Sequence, residues 1–134
     1  MNELPTLIRN IDQNLISEYA KVSGDNNPIH IDTLFAKKSQ FKGTIAHGMN
    51  IVGYFSDFMD RIHGSDWSNG GTLKVKFRGP AKPGDILSIS GQIKNQNNSH
   101  ASTTSYTLVK YSLECENQRG ESISTATAEI VINH

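Results

Sequence analysis

Between His47 and Ile62 the apolar positions recur at helical spacing, but on more than one side of the helix. Met49, Val52, Phe55, Met59 and Ile62 lie along one side, and Ile51, Tyr54 and Phe58 cover much of the other. A helix apolar round most of its circumference is normally enclosed by its fold. Sixteen residues rise roughly 24 Å, short for crossing a bilayer, and the segment carries Asp57, Asp60 and Arg61, so it reads as a buried core helix. After loops at 63–66 and 68–71 the period drops to 2, with Leu73, Val75 and Phe77 alternating with Lys74, Lys76 and Arg78. Pro83-Gly84 marks a turn. Leu87, Ile89 and Ile93 then share a face, with Gly91 between them as a bulge or point of close approach. The polar run Asn95–Ser99 reads as a turn. A long strand over 103–116 places Thr107, Val109, Tyr111, Leu113 and Cys115 together, 117–120 turns it, and a last strand aligns Ala126, Ala128, Ile130 and Ile132. Four hairpin-linked strands after one enclosed helix predict an α+β fold in a single domain over 1–134, an antiparallel sheet curled around the helix.

Upstream the pattern is weaker. Leu4–Ile11 reads as an extended entry segment. Asp12 is a candidate N-cap for a helix over 13–22 carrying Ile16, Tyr19, Ala20 and Val22. Ser23-Gly24 ends it, and Asp25-Asn26-Asn27-Pro28 is a dense cluster of turn formers. A brief helical or irregular pass over 29–38 and a loop over 39–46 lead into the central helix.

Composition narrows the function. Thirteen Lys+Arg balance thirteen Asp+Glu in 134 residues, so the formal net charge is zero. A protein acting by general attraction to nucleic acid or to an anionic membrane is not expected, although the balance leaves room for a local basic patch. The lone Cys115 excludes an intramolecular disulfide and reads as a small buried hydrophobe. The N-terminus lacks the basic start and apolar run of a signal peptide, which points to a cytoplasmic location. His63, His100 and His134 lack ligand spacing, and no metal site is expected.

The stretch with chemical content is Ser23-Gly24-Asp25-Asn26-Asn27-Pro28-Ile29-His30. It sets a carboxylate and an imidazole five residues apart across a proline-stiffened turn, the pair needed to hold and deprotonate a water. Spacing alone favours a plainer reading, Asp25 as a turn former and His30 as a satisfied, partly buried histidine. These residues also resemble the signature of the MaoC-like, (R)-specific enoyl-CoA hydratases, which have the hot-dog fold. Ile45-Ala46-His47-Gly48-Met49 is similar to the start of that family's central helix, and Phe77–Asp85 to the strand and turn beyond it.

The resemblance covers roughly residues 12–132 and implies specific roles. Asp25 and His30 would be the catalytic pair, adding a water held between them across the 2,3 double bond of an enoyl thioester. The Gly48 backbone N–H would be the oxyanion contact, and a helix N-terminus suits the enolate charge that hydration develops. Ser56 matches a position lining the family's acyl pocket. Asn27 and His47 border the substrate, Asn27 chiefly bracing the loop and His47 chiefly supporting the helix start. Met49 and Met59 read as core. Asn50 is unexpectedly polar beside an acyl tunnel and reads as facing the interface or a partner. Lys74, Lys76 and Arg78 form a solvated face or, alternatively, contact the phosphates of coenzyme A. No cofactor is implied, because a coenzyme A or acyl-carrier-protein thioester is the substrate, and an open sheet edge implies at least a homodimer. Two other readings stay in view. One is a catalytically silent acyl-CoA-binding module, the other a thioesterase on the same fold, for which His30 would be superfluous.

Overall fold

The computed structural model describes residues 4–100 and 105–134, with the side chains of all of these except 99 and 100. Five strands form one antiparallel sheet: β1 (Leu7–Asn10), β2 (Gly71–Phe77), β3 (Ile86–His100), β4 (Ser105–Glu116) and β5 (Ser122–Asn133), in the order β1-β3-β4-β5-β2. The predicted entry segment supplies β1, a fifth strand, through pairs such as Leu7 with Ile89. The long helix α4 (Gly48–His63) packs on one face of this sheet, the hot-dog arrangement.

Period-2 alternation does the sorting. Leu87, Ile89, Val109, Tyr111, Leu113, Cys115, Ala128 and Ile130 turn inward and are buried, while their neighbours face out. From α4 the facing residues are Ile51, Tyr54, Phe55, Phe58 and Met59, with Ile62 partly buried against them. Those positions make a single stripe. The expected all-round enclosure is therefore corrected: the sheet covers one side of the helix, and Met49, at its start on the open side, is 63% exposed rather than core. Val22, 85% exposed, likewise points away from the core. Arg9 of β1 reaches across to Asp57 of α4 at 2.8 Å, and the Arg61 guanidinium hydrogen-bonded to Asp57 holds that carboxyl below its usual range. Burial pushes the Cys115 thiol up to about 12, the condition of an inert core cysteine.

Two loops of the sequence reading are not loops. Residues 65–70 form a short helix, α5 by order along the chain, whose Trp67 is buried and donates its indole N–H to Ser56 Oγ at 2.9 Å. The polar run 95–99 belongs to β3, which continues past a register shift at Ile93/Asn95 and pairs with β4 as far as His100. The first two residues of the strand expected over 103–116 lie outside the described residues. Gly91 is a close approach, not the bulge.

His63, at the end of α4, shares a 2.6 Å hydrogen bond with the Tyr111 hydroxyl. Burial holds His63 below the ordinary imidazole value, opposed only by Asp66. A histidine whose folded value is depressed stabilises the fold above about pH 6.5, and that stability is lost as the pH falls toward the lowered value, because the unfolded chain takes the proton first. The melting temperature should therefore drop between pH 7 and 5, and His63→Gln should flatten part of that drop in thermal denaturation. Identical pH profiles for the two proteins would remove His63 as a source.

Candidate active site

Three side-chain caps build the loop that carries the motif. Asp12 accepts from Leu15 N at 2.7 Å and starts α1 (Gln13–Ser23), which Gly24 ends in the left-handed region at φ 78°. Asn27 Oδ1 accepts from Ile29 N at 3.2 Å and starts α2 (Pro28–Ile31), with Pro28 at its first position. Asp32 does the same for α3 (Thr33–Lys37) through Phe35 N. Asp25 Oδ1 meanwhile accepts from Asn27 N at 3.2 Å, which fixes its carboxylate over the turn. Asn27 is thus a brace, its side chain spent on the helix start.

This loop brings Asp25 and His30 together. Asp25 Oδ2 lies 3.9 Å from His30 Nε2; the carboxylate is 54% exposed and the imidazole 11%. The tautomer follows from the partners. His30 Nδ1 sits 2.8 Å from the Ile45 carbonyl, which can only accept, so Nδ1 carries the proton and Nε2 of the neutral ring presents a lone pair. Two acceptors face each other across a gap too long for a direct bond. One water donating a hydrogen to each, at about 2.8 Å, would hold them roughly 4–4.5 Å apart.

His47 lies under the pair. It is 2% exposed, stacks on His30 with ring centroids 3.8 Å apart, and touches Tyr19 on its other side at 4.7 Å. Its Nε2–H donates to the Asp25 carbonyl at 3.0 Å, which leaves Nδ1 buried without a partner. Candidate ligand atoms of Asp25, His30 and His47 all fall within 4.8 Å of one another. Stacked rings, however, aim their in-plane lone pairs side by side rather than at one point, so the two imidazoles cannot share an ion as they stand.

Immediately after His47, α4 starts with no side-chain cap, unlike α1, α2 and α3. Its first N–H groups and the positive end of its dipole are available to an anionic oxygen beside the pair. Beside Gly48 opens a cavity of about 360 Å³, walled largely by apolar groups including Phe41, Ile45, Ile51, Phe77 and Ile123. A Cβ at position 48 would come within 3.0 Å of the Phe77 ring, so glycine lets that ring, and anything replacing it, lie against the backbone. The strap 78–85 closes the wall. Ala46 N donates to Ala81 O at 2.8 Å, and the buried Asp85 carboxylate accepts from Lys82 N at 2.9 Å and from Arg119 at 3.3 Å.

Asp25, His30 and His47 are therefore gathered at one place, with Gly48 next in the chain; of these four only Gly48 lines the cavity. Ser56 is not among the residues around this cavity, its hydroxyl being the acceptor for Trp67. Asn50 donates to the Tyr54 hydroxyl at 3.3 Å, so its polarity is met within α4. Sequence reasoning missed Gln13, whose side-chain amide donates to His30 O at 2.9 Å and accepts from Thr44 Oγ1 at 2.5 Å, tying α1 to both sides of the site. It also missed Phe41 and the position of Phe77 against Gly48. An apolar residue in a loop carries no periodic signal that would have placed either one.

A sheet laid on one long helix defines a hot-dog protein, and the carboxylate–imidazole pair near the bare start of that helix is its candidate active site. The chain belongs to the family described as MaoC like domain, whose model matches residues 3–115, a family of hydratases and dehydratases. It is 29% identical over 91 residues to a 3-hydroxybutyryl-CoA dehydratase of Methylorubrum extorquens, the match taking in 65% of this chain and 55% of that protein. A structure described as a monoamine oxidase regulatory protein from Archaeoglobus fulgidus superposes with a TM-score of 0.79 at 27% identity, over 99% of this chain and 91% of that one. An R-hydratase from Pseudomonas aeruginosa gives 0.71 at 26% identity, over 96% and 78%. The chain thus spans little more than half of the dehydratase, and as little as 3% of a much longer relative, a fungal fatty acid synthase. Among the described residues no helix is long and apolar enough to cross a membrane.

Proposed function

We propose that this chain, as a single hot-dog domain, is an (R)-specific enoyl-CoA hydratase or 3-hydroxyacyl thioester dehydratase, working reversibly in the cytoplasm as at least a homodimer. The observation that carries this reading is the 3.9 Å gap between Asp25 Oδ2 and a His30 Nε2 whose tautomer makes it an acceptor. In the forward direction the pair holds a water by both hydrogens and directs its oxygen at C3 of the enoyl group. As the C3–O bond forms, the proton leaving water passes to the pair, and the pair returns one proton to C2. Negative charge collects meanwhile on the thioester oxygen, where the Gly48 N–H and the α4 dipole stabilise it. His47 serves as a positioning residue, fixing the Asp25 backbone and the face of His30. The dimer rests on β1 and β2, each paired on one side only, which leaves two open sheet edges.

The test is a crotonyl-CoA assay that follows loss of the enoyl absorbance and release of free thiol separately. Hydration without thiol release is expected. Thiol release would favour the thioesterase, and neither signal with retained acyl-CoA binding would leave a silent module.

A further inference from the structure

We propose that the outer face of β2 is a subsite for the nucleotide phosphates of coenzyme A, which makes a coenzyme A thioester, rather than a carrier-protein thioester, the substrate of the hydratase site on which this inference rests. The chain is neutral overall, yet Lys74, Lys76 and Arg78 form no ion pair among the described residues. Elsewhere on the sheet and its turns Lys110 pairs with Glu129 at 3.1 Å and Arg119 with Asp85 and Glu121, while Lys94 has no ion pair among the described residues and Lys82 donates to the Phe41 carbonyl; what sets the other three apart is that they gather on one trough. The three free cations border an open trough of about 450 Å³, which Ser112, Thr125 and Thr127 also line. Three positive groups and three hydroxyls are the donor set that phosphate oxygens require. No carboxylate lines the trough. Glu114, the register partner of Thr125, shares the outer face but does not line it, and Lys74 also borders a neighbouring groove with Lys94 and the Lys110–Glu129 pair.

Arg78 connects this trough to the chemistry. It follows the last residue of β2, its backbone N–H is pinned to Ile123 O at 2.9 Å, and it lines both the trough and the apolar cavity beside Gly48. A thioester lying in the cavity would lead its pantetheine arm past Arg78 and deliver the phosphates to Lys74 and Lys76. A concave trough edged with hydroxyls suits phosphates that enter it better than the convex surface of a folded carrier. Pairing of the β2 edge with another copy would engage its backbone in the plane of the sheet and leave this outer face open.

The experiment compares wild type with the double variant Lys74→Ala/Lys76→Ala, its fold checked by circular dichroism. KM is measured for crotonyl-CoA, crotonyl-pantetheine and crotonyl-acyl carrier protein, and adenosine 3′,5′-bisphosphate is titrated calorimetrically. Wild type should show a KM for crotonyl-CoA on the order of tenfold or more below that for crotonyl-pantetheine, the gap should largely close in the variant, and bisphosphate affinity should fall by on the order of tenfold. An equal gap in both proteins, or no bisphosphate binding to wild type, overturns the subsite. A carrier-protein preference that the variant abolishes overturns it in favour of a carrier dock. If no thioester is hydrated, the hydratase reading fails, while the titration still decides the trough: binding weakened in the variant supports it, and unchanged or absent binding overturns it.

Discussion

Asp25→Asn and His30→Ala should each lower the turnover of crotonyl-CoA by on the order of 10²–10⁴, the usual range for a group that transfers protons in the transition state. The two losses have different physical origins. In Asp25→Asn the side-chain oxygen can keep accepting from Asn27 N, so the turn survives. The new amide nitrogen then faces the gap with hydrogens of its own, where the carboxylate oxygen would have accepted one from the water. His30→Ala removes the imidazole outright and leaves the Ile45 carbonyl without its donor. Neither residue anchors the thioester's distant end, so KM should move far less than turnover. The double variant should be hardly worse than either single one, because groups that share one water act as a unit. Steady-state hydration by the four proteins checks this, with circular dichroism to confirm folding. A thioesterase would keep most of its activity in His30→Ala. Near-wild-type hydration by folded His30→Ala would withdraw the mechanism.

Much of this site could be read from the sequence because the features that build it are local. Asp25, Asn27 and Pro28 act within a few residues of one another, and the Asx turn and the cap they form are dictated by side-chain chemistry at fixed offsets. Gly48 opens α4 where the apolar pattern begins. What was not legible depends on partners far along the chain. The stretch Ser65–Gly70 has the composition of a loop, and it is helical because Trp67 is buried and hydrogen-bonds to Ser56. That same bond takes up a hydroxyl which family resemblance assigned to the acyl pocket. Residues 95–99 are exposed and polar where described, so no alternation marks them as strand. They are held by their ladder to β4, beyond a register shift that also breaks the pattern leading into them. One-sided cover of α4 follows from how far the sheet reaches, which helical spacing cannot express. The support of His30 by His47, and the reach of Gln13 to both His30 and Thr44, likewise span intervals in sequence that no motif records.

The largest effect expected on stability comes from the contact that fixes how closely sheet and helix approach. Gly91 of β3 lies opposite Leu113 of β4 and beneath Phe58 of α4. A Cβ built there would fall 2.5 Å from Leu113 Cδ2 and 3.0 Å from Phe58 Cε2, both on side chains that are only 2% exposed and have little room to retreat. Gly91→Ala should therefore destabilise the fold by about 1–3 kcal/mol, the usual cost of overpacking a dense core. Phe58→Ala should cost more, about 3–5 kcal/mol, since it removes a buried ring and leaves a cavity. The two costs should not add. With the ring gone, Leu113 can swing into the vacated space and the new methyl at position 91 can occupy part of it, so Gly91→Ala should cost markedly less in the Phe58→Ala background. Urea unfolding of wild type, both single variants and the double variant measures this coupling directly. Additivity within about 0.5 kcal/mol would mean that the strand moves as a whole to admit the methyl, and that the ring of Phe58 does not set the spacing between sheet and helix.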